Sequence, residues 1–522
     1  VSHDPSPAAR SSDARRGFDI VIVGGGSAGA VLAARLSEDP ARRVLLLEAG
    51  PAPRTQAEMP DAVLDGTTVA ASVPGHALGW TYRGSLLTRD AAHGMRMPQR
   101  EYDVVRGRLI GGSGAINGGY FIRPRPTDHA EWVAAGGDAW STENALPLLR
   151  AMESDVDYGE TALHGGSGPI PVRRADGHPV SQAFEASCLA AGFASDPDKN
   201  APGGSGVGPV PQNVTDGVRR SPAMQYLLPA LNRENLEVRG GVTVTRIIVR
   251  GGRAVGVQAS ARRSFEVITG GEIVLAAGAI ATPQLLQLSG IGPADDLRAH
   301  GIRCVADLPV GEALSDHASI TLSMIARTAP PAPEGSPFPT ALHTSAPTGE
   351  PFELLVGARP LDEIVPGIGA PSALPVMVNL PSTGRGSITL QSDDPAVPPL
   401  IRYDYLAEER DRAIARHAVR IAADLIRSRE FAVVVENDDA PDTRLLTDDG
   451  ALDAWIASRI GTTVHTCATA PMGTVADGAG RVLGIDGLRI ADTSLLPTAP
   501  ARGPAASAVL VAETIARAMR AT

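Results

Sequence analysis

Aromatic residues make up only 4% of this 522-residue chain, and it has three cysteines. Cys188, Cys304 and Cys467 lie far apart and form no C-x-x-C, which argues against a disulfide framework or a zinc cage. So few aromatic rings leave no obvious platform for stacking a sugar. No uninterrupted apolar run reaches the roughly 18 residues of a membrane-spanning helix. Acidic residues outnumber basic ones, 58 to 47. A formal net charge of −11 argues against nucleic acid and anionic lipid surfaces, because both reward cations. The opening VSHDPSPAARSSDARRG lacks the apolar segment of a signal peptide and reads as a loose tail over 1–16. The expectation is a soluble cytoplasmic protein with no transmembrane segment and no metal site.

What is present fits a folded protein of two or more domains: 43% hydrophobic and 20% charged residues. The most informative stretch is FDIVIVGGGSAGAVLAARL, Phe18 to Leu36, a buried strand, a glycine turn and a helix. Its glycines satisfy two patterns. Gly24, Gly26 and Gly29, with Ser27 and Ala28 between them, make the G-x-G-x-x-G of a dinucleotide site. Gly25, Ser27 and Gly29 make the G-x-S-x-G of a hydrolase elbow. A hydrolase needs an oxyanion loop earlier in the chain, and the 26 residues before Ser27 leave no room for one. A dinucleotide site needs a carboxylate ending the next strand. RRVLLLEAG supplies Glu48 and Ala49, with Glu48 lying 19 residues beyond Gly29. That is close to the usual spacing of about 20. The nucleotide reading wins.

Further on, residues 51–105 are turn-rich and weakly periodic, and Leu236 to Ser260 reads as an antiparallel meander. EIVLAAGAIATPQLLQLSGIG runs a buried strand through Ala277 and Gly278 into a helix. Helices are expected near 408–429 and 448–460, and the chain closes with a strand, a loop and a terminal helix. The last has an apolar face of Ala508, Val509, Ala512, Ile515, Ala516 and Met519, with Pro504 suited to its first position. Recurring βα pieces point to one α/β nucleotide domain built from separated segments.

Over nearly its whole length, Phe18 to Met519, the sequence resembles the glucose–methanol–choline (GMC) family of flavin oxidoreductases. The resemblance rests on GRLIGGSGAINGGYFIRP (Gly107 to Pro124), GAIATPQLLQLSGIG (Gly278 to Gly292), LPVGEALSDH (Leu308 to His317) and GLRIADTSLLPT (Gly487 to Thr498). It implies FAD, held non-covalently, because Ile116 occupies the position where some members link flavin through histidine. Arg108, Gly111, Gly112, Ser113, Asn117 and Gly118 would line the ring and diphosphate, with Val244, Ala277, Gly278 and Asp492 as further contacts. Asp492, after a short strand, could accept a ribityl or ribose hydroxyl, or simply cap a turn.

VHTCATAPMG resembles the family stretch whose histidine faces the flavin and places His465 there. Alcohol oxidation requires loss of a hydroxyl proton and transfer of hydride to flavin N5. An imidazole suits the proton half, since its ordinary pKa near 6.5 leaves it able to accept at about pH 7. Family members place a second His or Asn before the terminal helix, and here that position is Ala505. Three readings stay open: one histidine suffices, another residue substitutes, or the protein is catalytically impaired.

GGSGAINGGYFIRPRPTD, HGGSGPIPVRR, CATAPMGT and ARGPAASAV are most similar to GMC enzymes of the actinobacterial mycofactocin system. That likeness implies reoxidation of a mycofactocinol, a glycosylated redox cofactor, and delivery of electrons to a respiratory acceptor, peripheral to the inner membrane face. The alternatives are an alcohol oxidase, a sugar or alcohol dehydrogenase, or a lyase that holds flavin. A dehydrogenase is expected over an oxidase. The expected division is an FAD-binding domain of 17–150, 206–310 and 461–522 and a substrate-binding domain of 151–205 and 311–460. The second would carry an antiparallel sheet and helices, with Ser382 to Tyr405 in the sheet opposite the flavin.

Overall fold

A computed structural model describes residues 17–87, 100–175, 177–261, 264–366, 373–381 and 385–521. The expected tail over 1–16 lies outside them. The architecture is α/β, as expected. Strand Phe18–Val23 pairs in parallel with Val44–Leu47 on one side and with the end of Ser264–Leu275 on the other. Leu488–Ile490 extends that parallel sheet. All four residues of VLLL are buried, as a strand covered on both faces must be. Helix Ser27–Leu36 crosses this sheet with eight of its ten residues buried. It packs against the terminal helix, Ala505–Arg520.

Leu236–Arg239 departs from the expected meander. It joins the parallel sheet beside Val44–Leu47, and the meander proper consists of Val242–Arg250, Arg253–Ala261 and the start of Ser264–Leu275. Gly240 and Gly241 make the break. Gly241 has φ +70°, and a Cβ on Gly240 would meet Ala52 at 2.8 Å, so the chain turns tightly between two pairings.

A second, antiparallel sheet runs in the order Val435–Asp438, His317–Ala326, Ala373–Pro381, Pro351–Val356, Thr340–Ser345, Gly206–Pro209, with Ile460–Thr462 also on His317–Ala326. Helix Glu409–Ile426 packs on it, burying Ile414, Ala415, Ala418, Val419, Ala422 and Ile426 at helical spacing.

Two expectations change. Ser387–Thr389 and Leu400–Arg402, from the 382–405 region, do not enter this sheet. They join Gly79–Leu87 and Arg100–Gly107 in a separate four-stranded one. That long hairpin sits in the stretch read as weakly periodic. Exposed cross-strand charges, such as Arg83 and Glu101 at 2.5 Å, blur its alternation. Pro504 is the N-cap of the terminal helix rather than its first residue, and Ala508 is only half-buried while Leu510 and Val511 are buried. Among the described residues, no helix is long and apolar enough to cross a membrane.

Candidate active site

The glycine turn after Phe18–Val23 is fixed by close approach. Gly24 has φ +101°, and a Cβ there would sit 2.5 Å from the Ala276 carbonyl oxygen. A Cβ on Gly29 would lie 1.9 Å from the Gly24 oxygen. Gly26 differs: its Cβ would come no closer than 3.9 Å to anything beyond its chain neighbours. Gly26 caps the Ser27–Leu36 helix with no side-chain hydrogen bond. The first N–H groups of this helix, on Ser27, Ala28 and Gly29, have no intrahelical partner. This is what a diphosphate requires.

Glu48 sits beneath this turn. Its Oε2 accepts from the Gly25 N–H and its Oε1 from the Gly50 N–H, both at 2.8 Å. Burial raises its pKa, while those two N–H groups and Arg108 oppose the rise. The neighbouring Ala49 is half-buried.

The second glycine loop closes on the first. Gly111 donates to the Gly25 carbonyl at 2.7 Å, and a Cβ on Gly112 would meet Gly26 Cα at 2.8 Å. A Cβ on Gly114 would reach 2.1 Å from Ser27 Oγ, so Ser27 is packed against this loop rather than presented as a nucleophile. Ser113 Oγ accepts from the Gly107 N–H, and the Arg108 guanidinium lies 4.6 Å over the Trp80 ring. Asn117 Oδ1 accepts from Gly119, and Gly118 faces Phe338.

On the far side, Ala277 caps the Gly278–Leu288 helix, and Gly278, at φ +86°, has open space where a Cβ would stand. Asp492 is buried and fully engaged. Its Oδ2 accepts from the Gly278 N–H at 2.9 Å and from Thr282 Oγ1 at 2.7 Å, while Oδ1 accepts from the Ser494 N–H at 2.8 Å. It thus holds two turns together. Val244 is half-buried and pairs with Ala259. The open space at Gly278, the clash-free position at Gly26 and the uncapped helix N–H groups fit an FAD bound along the turn.

His465 lies on a loop held under strain. Val464 before it and Ala468 after it have φ of +55° and +66°, where β-branched valine is especially unfavourable. Arg106 clamps this loop, donating to the Val464 carbonyl at 2.5 Å and to Thr466 Oγ1 at 2.6 Å. Asp316 Oδ2 accepts from Thr462 Oγ1 at 2.9 Å, and Ser315 and Cys467 exchange backbone hydrogen bonds. The His465 ring stands perpendicular to that of His317, with the two Nδ1 atoms 3.0 Å apart. Burial, with smaller contributions from His317 and Arg106, pushes the His465 pKa down to about 3. Burial also lowers that of His317. Both imidazoles are neutral at pH 7.

The two histidines line a small cavity with Glu353, Asn379, Arg502 and Gly503. Burial alone would raise the Glu353 pKa. Hydrogen bonds from His343 Nε2 at 2.8 Å, Tyr120 OH at 2.5 Å and Asn379 Nδ2 at 2.8 Å instead hold it well below the usual carboxylate range. One ionised carboxylate thus sits in the cavity wall. Ala505 opens the terminal helix with its methyl packed on the larger core, and the cavity is lined instead by the preceding loop. A Cβ on Gly503 would stand 3.3 Å from His465 Cε1.

The sequence reading found His465 but gave no role to His317, Tyr120, Glu353 or Arg106. Two of these stood in stretches already singled out: His317 ends LPVGEALSDH, and Tyr120 lies in GGYFIRP. Glu353, on Pro351–Val356, carried no local signal.

A parallel sheet bearing an uncapped glycine turn, with a neutral buried imidazole and a cavity on another part of the chain, defines a dinucleotide-dependent oxidoreductase. Two family profiles described as GMC oxidoreductase match residues 18–319 and 382–512. The chain belongs to the GMC oxidoreductase family. It is a flavoprotein with FAD as cofactor. It is 39% identical to an uncharacterized GMC-type oxidoreductase in the thcA 5' region of Rhodococcus erythropolis, over 95% of this chain and 97% of that one. It is 32% identical to an oxygen-dependent choline dehydrogenase of Brucella anthropi, over 92% and 91%. Its structure is similar to that of pyridoxine 4-oxidase from Mesorbium loti, with TM-score 0.87, 30% identity and coverage of 97% and 99%.

Proposed function

We propose that the protein oxidises a CH–OH group to a carbonyl, with His465 as the base that accepts the hydroxyl proton. FAD, when bound, supplies the acceptor for the two electrons and the hydrogen that leave the substrate carbon. The observation that carries the reading is the neutral His465 ring, clamped by Arg106 through its neighbours and opening onto the cavity.

The glycine turn, Glu48, the 107–118 loop and Gly278 would hold the cofactor, with Asp492 fixing the Gly278 turn. Residues 17–150, 206–310 and 461–522 then serve FAD binding, and 151–205 and 311–460 serve the substrate. The hydrophobic cores support that division in outline, although Ile170 and Val172 pack into the larger core and Tyr82, Leu86 and Val104 into the second.

The test is anaerobic mixing of FAD-loaded protein with choline, pyridoxine and a mycofactocinol. The last is the substrate that the mycofactocin resemblance implies, with electrons passing on to a respiratory acceptor. Flavin bleaching by one of them, slowed about 10²–10⁴-fold in His465→Ala with FAD retained, is the expected result. Product without bleaching would favour a lyase. An unchanged rate in His465→Ala would remove the base from this assignment. Reoxidation of the bleached protein by oxygen, compared with a dye acceptor, separates oxidase from dehydrogenase, the form we favour.

A further inference from the structure

We propose that His317 is a positioning residue that sets the tautomer of His465, leaving Nε2 of His465 as a bare acceptor. The inference rests on the reading of His465 as base. It starts from the 3.0 Å separation of the two Nδ1 atoms. Two bare nitrogens at that distance would set lone pair against lone pair, and two protonated ones would set hydrogen against hydrogen. A neutral pair therefore shares one proton between them, and only two arrangements exist.

Either His317 donates from Nδ1, so that His465 Nδ1 accepts and the His465 hydrogen sits on Nε2, or His465 donates from Nδ1 and its Nε2 is bare. The reading of His465 as base decides. Nδ1 of His465 faces His317, so only Nε2 is left to accept the substrate proton, and it must be bare. His465 Nδ1–H then donates to His317 Nδ1, and the His317 hydrogen sits on its Nε2.

His317 is well held for this task. It begins the His317–Ala326 strand, its N–H donates to Asp316 Oδ1 at 2.8 Å, and its carbonyl accepts from Tyr405 OH at 3.3 Å. The charges that reach the pair are Asp316 beside it, Glu353 from two strands away in the same sheet and Arg106 from the hairpin. Among the described residues, neither carboxylate is hydrogen-bonded to either imidazole ring, so tautomer choice falls to the two rings. A buried acceptor that fixes an imidazole's tautomer is how a third group supports a catalytic base elsewhere.

The decisive measurement is nitrogen NMR on FAD-loaded protein carrying ¹⁵N-histidine, with signals assigned by loss in His465→Gln and His317→Asn. His465 should be found as the Nδ1–H tautomer at pH 7.5 without substrate. His317→Phe removes the acceptor, so His465 should shift to the Nε2–H form. The flavin-reduction rate should fall roughly 10²–10⁴-fold, by comparison with other bases held in the wrong tautomer. His317→Asn offers its Oδ1 near the place of Nδ1 and should restore both the Nδ1–H tautomer and most of the lost rate. An Nε2–H tautomer in the unaltered protein overturns the proposal, as does a tautomer unmoved in His317→Phe. Should that variant fail to fold, the unaltered protein's spectrum decides alone. If His465→Ala keeps full activity, the reading of the base fails instead, and the tautomer result stands independently.

Discussion

Arg106 donates to the Val464 carbonyl at 2.5 Å and so secures a valine held at φ +55°. A β-branched residue in that region costs about 1–3 kcal/mol, and such strain persists only where the surroundings over-determine it. Arg106→Met should release the His465 loop. We expect thermal stability to drop by about 1–3 kcal/mol, with a larger proportional loss in flavin reduction. Adding Val464→Gly should recover part of the stability, because glycine adopts positive φ freely. Calorimetry of the single and double variants checks this, and equal melting of both would show that the strain is not what Arg106 holds.

Gly26 and Gly29 should behave oppositely on substitution by alanine. At Gly29 the new methyl would stand 1.9 Å from the Gly24 oxygen, so the turn itself must break. At Gly26 the methyl meets nothing nearer than 3.9 Å, so the fold tolerates it, but it stands between the helix N-terminus and the second glycine loop. Apo Gly26→Ala should therefore melt within about 0.5 kcal/mol of the parent, yet bind FAD less tightly. Titration of apoprotein with FAD, followed by flavin fluorescence, reads the difference. Undiminished affinity in Gly26→Ala would mean that the diphosphate lies elsewhere.

The contrast between these glycines also shows what could be read from residues alone. A strand, a glycine turn, a helix and a carboxylate at fixed spacing are local, and they gave the α/β fold and Glu48 together. Leu236–Arg239 joins the parallel sheet rather than the meander, a difference its sequence does not carry because parallel and antiparallel partners leave the same short imprint. The cavity wall was harder still. His317, Glu353 and His465 come from three distant stretches, and only the pairing of His317–Ala326 with Ile460–Thr462 and the sheet beyond it brings them together. Tyr120 and Arg106 act through partners more than 200 residues away, which no window of sequence contains.

His164 sits at a buried hub and gives a pH signature. Its Nδ1 lies 3.0 Å from Glu153 and 3.1 Å from Asp155, and its Nε2 lies 2.9 Å from Asp198, with Arg123 and Arg174 pairing the same carboxylates. Burial would lower its pKa, but Asp155, Asp198 and Glu153 together raise it to about 10. A raised folded-state value means the imidazolium stabilises the fold fully below the unfolded pKa of about 6.5. That contribution declines as pH rises and is gone once pH passes about 10. His164→Gln should cost about 3–5 kcal/mol at pH 6, where it strips buried carboxylates of their partner. The gap to the parent should narrow steadily towards pH 10. Paired melts across that range test it, and a constant gap would show that the ring is neutral.

Ala505 is the position most open to gain. It heads the terminal helix, directly after the loop that lines the cavity, and its methyl makes no polar contact. If the helix lacks a group that other family members use on the substrate hydroxyl, Ala505→His or Ala505→Asn should supply one. A positioned hydrogen bond of that kind is worth about 2.7–4 kcal/mol in the transition state, or roughly 10²–10³ in rate. The gain should appear in the rate of flavin reduction rather than in FAD affinity, since Ala505 lies outside the glycine cradle. It should also require His465, so that the double variant with His465→Ala shows no benefit. An increase that survives loss of His465 would mean the new side chain is itself the base. No increase in either variant would mean that the His465–His317 pair already completes the site.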